Sequence, residues 1–162
     1  MKVTIDGTFI GVRGNTYEHA AKMYSGNKQD KRKLGYTLVT CFDTINKTPM
    51  DFEVPLVHEL NAASRLIRSA IALEEEEKIT ITLFVLDALY LNKELLDLVS
   101  GHRFILRARA YKWLLKHVDK NLERGCKKIE LWGHKVTLYW RPSKEKDKQC
   151  RLLITNTPNK RV

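Results

Sequence analysis

The chain has 162 residues, of which 43 % are hydrophobic, so it can bury a core as one domain and is not a disordered chain. It carries 29 Lys and Arg against 19 Asp and Glu, a formal charge of +10. A globular domain this basic points to a polyanionic partner, nucleic acid first, although an ordinary basic soluble protein has the same balance.

Taken in order, Val3 to Val12 reads as a strand carrying Asp6, broken by Gly11 and Gly14. The stretch from Asn15 to Gly35 is polar and basic, with Lys28, Lys31, Arg32 and Lys33, and reads as an exposed loop. Tyr36 to Phe42 is rich in β-branched and aromatic residues and predicts a strand. Asp43 to Pro49 supplies a turn, and Met50 to Val57 the returning partner. Leu60, Ala63, Ile67, Ala70 and Ile71 recur at helical spacing, so a helix is expected from His58 to about Glu77. Its four terminal acids, Glu74 to Glu77, oppose the helix dipole and predict a frayed, solvated end.

Lys78 to Asp87 is a nearly continuous apolar run, read as a strand buried on both faces. Asn92 caps a short helix through Val99, which Gly101 ends. Phe104 to Arg107 is the next strand, and Tyr111 to Leu122 is expected to be helical. Lys128 to Trp132, Lys135 to Trp140 and Cys150 to Thr155 are strand candidates, with a polar hairpin loop over Pro142 to Gln149.

Cys41, Cys126 and Cys150 are odd in number and widely spaced, which argues against a disulfide framework or zinc knuckle and for a reducing, intracellular compartment. The histidines show no ligand spacing, and Trp113, Trp132 and Trp140 read as packing residues rather than base-stacking platforms. No apolar run is long enough to span a membrane, and Met1-Lys2 leads into a strand pattern rather than a signal-peptide core.

Two features carry chemistry. Asp6 and Asp87 each occur within or at the end of an apolar strand pattern, where backbone is fixed and a carboxylate can face solvent. The order of strand, paired strands, helix, then strand ending in acid is that of an RNase H-like α/β fold. In that fold the first strand and the strand after the helix lie side by side, so both aspartates could face one divalent-metal site. Either aspartate alone is more simply a turn-capping residue.

The motifs resemble the catalytic domain of DDE transposases from prokaryotic insertion sequences, in the subgroup with a Tyr-Arg-Glu-Lys signature. Ile5-Asp6-Gly7-Thr8 resembles the setting of the family's first aspartate, and Val85-Leu86-Asp87-Ala88-Leu89-Tyr90 that of its second. The hairpin from Lys33 to Asp43 and Lys47 to Phe52, the segment Phe104 to Arg109, and Leu152 to Asn156 fall in matching order. The resemblance implies a mixed sheet flanked by helices over residues 1–162, one partial catalytic domain with 128–156 a β-rich insertion.

It implies DNA transposition through strand cleavage and strand transfer, with Mg²⁺ or Mn²⁺ ions about 3.5–4 Å apart. Asp6 would bridge the ions and Asp87 bind one of them. Arg107, Arg109 and Lys112, with Lys31, Arg32 and Lys33 in the loop, are candidates for holding DNA phosphates. The implied partner is double-stranded DNA, both element ends and target, in the cytoplasm of a prokaryote at the nucleoid; a homodimer is compatible with it.

The family's third carboxylate stays open. Glu145 lies four residues after Arg141, but Pro142 would break a helix there at about 3 kcal/mol. Glu130 sits mid-strand. The pattern's last helix and the family's N-terminal DNA-binding region are not found, so a truncated, decayed or split transposase is expected. The alternatives are a catalytically dead DNA-binding remnant and a self-contained RNase H-like nuclease.

Overall fold

The computed structural model describes residues 1–11, 21–23, 33–55, 59–119, 121–142 and 150–157. These form nine strands in one sheet: β1 (Lys2–Gly11), β2 (Ala21–Met23), β3 (Lys33–Asp43), β4 (Thr48–Glu53), β5 (Leu83–Leu86), β6 (Phe104–Ala108), β7 (Gly125–Leu131), β8 (His134–Pro142) and β9 (Cys150–Thr155). The helices are α1 (Glu59–Glu75), α2 (Lys93–Val99) and α3 (Lys112–Leu115), with a 3₁₀ turn over Ala88–Tyr90.

The sheet order is β2-β3-β1-β5-β6-β9-β8-β7, with β4 beside β3. β1, β5 and β6 are parallel neighbours, and β3 is antiparallel to β1 and to β4. The run β4-β3-β1-β5-β6 is the expected RNase H-like order. β9, β8 and β7 extend the same sheet beyond β6 as an antiparallel meander.

Parallel neighbours need crossovers, and their right-handed preference puts both connections over one face. α1 and α2 pack on each other there. Val3 and Ile5 of β1 alternate inward with Val39 and Cys41 of β3 and Phe84 and Leu86 of β5, against Ala62, Ala63, Leu66 and Ile67 of α1. α2 adds Leu95, Leu96 and Val99, all fully buried. Asn156 joins β9 to the start of β6: its Oδ1 accepts from the Phe104 N–H at 3.0 Å and its Nδ2 donates to the His102 carbonyl at 2.6 Å.

Several expectations are corrected. Ala21–Met23 pairs with Lys33–Gly35, so part of the basic stretch read as loop is sheet. β5 is confined to Leu83–Leu86 and buries alternate residues, because α1 and α2 cover only one of its faces. The helix expected over Tyr111 to Leu122 is one short segment, Lys112–Leu115, which tightens at once into turns in which the His117 and Val118 N–H groups donate to the Leu114 and Leu115 carbonyls. Glu74 is not a solvated helix end: it accepts from the Ile81 N–H and pairs with His102, both at 2.6 Å. Trp140 is buried, but Trp113 and Trp132 are 39 % and 43 % exposed; Trp113 stacks on Tyr111 and meets Trp132 at a tilt, each at a ring spacing of 6.0 Å. Cys126 is exposed.

Candidate active site

The β1–β5 register ends with Ile5 opposite Leu86. Asp6, within β1, and Asp87, just past the end of β5, each follow that last pair by one residue. Ile5 and Leu86 point into the core, so the period-2 alternation turns both aspartates to the other face, and Asp87 keeps extended backbone at ψ 170. Asp6 is exposed, and the Asp87 side chain is 46 % accessible. Thr40, opposite Asp6 on β3, donates to the Asp6 carbonyl at 3.3 Å and steadies that stretch of β1. Carboxyl ends of parallel strands are where open α/β sheets gather ligands.

Arg107 reaches back from β6, its Nη1 3.7 Å from Asp87 Oδ1. Arg109 and Lys112, further along the chain, are exposed. Lys33 is described by its backbone alone, on β3. Lys31, Arg32 and Glu145 lie outside the described residues. Glu130 is exposed on β7, at the far edge of the sheet and four strands from β5. At ~4.8 Å per strand that is roughly 19 Å, too far to share a cation with Asp87.

Near the acids, Glu59 was not singled out from the sequence, and Tyr90 only as the last residue of the motif around Asp87. Glu59 opens α1, and α1 begins at the same sheet edge because β4 runs parallel to β1. Its carboxylate lies against Gly7, the residue after Asp6. Tyr90, fully buried, donates its hydroxyl to Glu59 Oε1 at 2.7 Å. Burial raises the Tyr90 phenol well above its ordinary value, and the hydrogen-bonded Glu59 and the charges of Asp6 and Asp87 push the same way. The only signals in the sequence were a glycine after the first acid and a tyrosine three after the second.

The acid pair offers hard anionic oxygens, the donors Mg²⁺ and Mn²⁺ prefer. Among the described residues, no group of three or more His, Cys, Asp or Glu could hold a metal ion. Asp6 and Asp87 thus fit a cation that takes two protein carboxylates and fills its other positions with water and substrate phosphate oxygens, the usual habit of Mg²⁺. The site is an open edge. A cleft of ≈ 630 Å³ lined by Lys112, Lys116, Leu122, Trp140 and Pro142 does not include either aspartate.

The strand order and the acids at its carboxyl edge define an RNase H-like domain. The chain belongs to the transposase DDE domain family, which it matches over residues 2–162, and this family serves transposition with divalent metal. The fold is similar to that of a piggyBac transposase in a cryo-EM synaptic complex with hairpin DNA, with a TM-score of 0.63 and 14 % identity over 98 % of this chain. The chain spans 33 % of that transposase's length. No curated protein matches the sequence. Among the described residues no helix is long and apolar enough to cross a membrane.

Proposed function

We propose that this chain is the acid-bearing part of a DNA transposase, with Asp6 and Asp87 as the metal-binding carboxylates of strand cleavage and strand transfer. The observation that supports the reading is the β1–β5 register, whose last pair, Ile5 and Leu86, comes directly before two accessible aspartates. A divalent cation there, Mg²⁺ or Mn²⁺, supplies Lewis-acid polarisation of the scissile phosphate. Asp6 and Asp87 would hold it. Arg107, Arg109 and Lys112 hold phosphates of double-stranded DNA, at element ends and target, with Lys31, Arg32 and Lys33 as further contacts.

The reading includes a prokaryotic insertion-sequence origin, a cytoplasmic, nucleoid-associated location and pairing of two copies on DNA. It treats 128–156 as a β-rich insertion in one partial catalytic domain. The third carboxylate is assigned to none of the described residues. A DNA-binding remnant is the second reading, favoured by the Arg107–Asp87 pair, which already places a cation on one of the two acids.

Calorimetric Mn²⁺ titration of the wild type, Asp6→Asn and Asp87→Asn tests the choice, with nicking of supercoiled plasmid alongside. Mn²⁺ binding that each substitution weakens at least tenfold supports the catalytic reading. Binding that neither substitution changes rejects it and leaves the remnant.

A further inference from the structure

The β1–β5 ladder ends at Ile5 and Leu86, one residue short of each acid, so none of its backbone pairs joins Asp6 to Asp87. A continuous path runs between them nonetheless. The Tyr90 N–H donates to the Asp87 carbonyl at 3.1 Å, so the ring's position is tied to Asp87. The Tyr90 hydroxyl then donates to Glu59 Oε1 at 2.7 Å. The Glu59 carboxylate rests on Gly7, where an added Cβ would stand 1.7 Å from Oε1. Gly7 adjoins Asp6. Glycine here serves close approach, because any side chain would evict the carboxylate.

The Glu59 carboxylate is half-buried, and a carboxylate withdrawn from water needs a hydrogen-bond donor. The phenol satisfies it from the buried side. The arrangement has the form of the outer-shell partners that orient metal ligands: a donor locked by packing, a carboxylate between, and the ligand-bearing backbone beyond.

We propose that Tyr90 and Glu59 form a positioning bridge that sets the spacing of Asp6 and Asp87 for a divalent cation. The bridge rests on the metal reading of the acid pair. Neither residue is a ligand in it; Glu59 acts through Gly7 and Tyr90 through the turn after Asp87.

The test measures Mn²⁺ affinity and thermal midpoint on the full chain for the wild type, Tyr90→Phe, Glu59→Ala and Glu59→Gln, with Asp6→Asn as control. Outer-shell substitutions typically cost about 10- to 100-fold in metal affinity. Tyr90→Phe and Glu59→Ala are therefore expected to weaken Mn²⁺ binding about tenfold while melting cooperatively. Glu59→Gln, which still accepts the phenol proton, restores most of that loss. If Tyr90→Phe does not fold, the Glu59→Ala and Glu59→Gln comparison decides alone. A lowered melting midpoint with unchanged Mn²⁺ affinity in the folded protein makes the bond purely structural and overturns the bridge. A Glu59→Gln as weak as Glu59→Ala overturns it too, since charge and not position then matters. Wild-type Mn²⁺ binding that ignores Asp6→Asn removes the premise, and the bridge falls with the metal reading.

Discussion

Asp43 shows how a single side chain fixes a turn and what that implies for acid stability. It is almost fully buried at the end of β3, accepting from the Ile45 N–H at 2.9 Å and from Asn46 Nδ2 at 2.6 Å. Burial pushes its carboxyl up, but the hydrogen bonds outweigh burial and hold it below the ordinary value. Glu74 is lowered as well, by the Ile81 N–H first, against burial, with His102 adding to it. A depressed folded-state value gives stability that is present above the unfolded value and lost as pH falls through the folded one. The melting midpoint should hold from neutrality to about pH 5 and then decline below about pH 4, where unfolded carboxylates take up protons. Asp43→Ala should lower the midpoint at pH 7 and flatten the acid decline; an unaltered acid limb would show that the turn bonds carry no linkage. Thiols give a second check. Cys41 is buried beside Met50, and burial, then the charge of Asp51, pushes its thiol up to about 12, so it has almost no thiolate at neutral pH. Iodoacetamide at pH 8 should label exposed Cys126 quickly and Cys41 only after denaturant is added. Rapid native labelling of Cys41 would contradict the packing of β3 against α1. At this scale Asp6 and Asp87 could be singled out because an acid interrupts or ends an apolar run. Glu59 was not, since no local pattern says that the first residue of a helix will meet a glycine from a distant strand.

Among the elements, α2 was fully readable and α3 was not, and the difference is physical. Asn92 sits in extended backbone and its side chain accepts from the Leu95 N–H at 2.8 Å, so the cap forms within the segment itself. Asn92→Ala should cost ~1 kcal/mol. For a chain of this size that lowers the melting midpoint by roughly 2–4 °C. A midpoint that does not move would mean that tertiary packing of Leu95, Leu96 and Val99 holds α2 without its cap. The segment after Tyr111 has helical apolar spacing, yet after Leu115 it tightens into turns and the Leu122 carbonyl accepts from Trp140 Nε1 at 3.3 Å. That last bond comes from β8 and could not be read locally. β2 was missed for the same reason: three residues carry no periodicity, and only pairing with β3 makes them a strand. The one-sided burial of β5 likewise depends on where α1 and α2 lie, which is a property of the crossovers rather than of its own apolar run.

For the molecule as a whole, the parallel arrangement of β1, β5 and β6 brings negative and positive groups to one edge, and the two signs compete there. Arg107 lies 3.7 Å from Asp87, with side chains 53 % and 46 % accessible, so water and salt screen the pair. An exposed pair of this kind is worth about 0.2–1 kcal/mol. A divalent cation binding Asp87 has to displace that interaction. In the proposed site, Arg107→Ala should therefore raise Mn²⁺ affinity by about 1.4- to 5-fold, the equivalent of that energy. The same substitution should weaken DNA binding and reduce the slope of log affinity against log salt by about 1, as loss of one phosphate contact does. Arg109→Ala and Lys112→Ala should share the second effect without the first, because neither forms an ion pair with the acids. Filter binding across a salt series and Mn²⁺ calorimetry on the three variants separate the contributions. If Arg107→Ala weakened Mn²⁺ binding, Arg107 would be holding Asp87 in place for the cation rather than competing with it. The charge of +10 would then mark DNA affinity alone, with no bearing on how the acids are kept available.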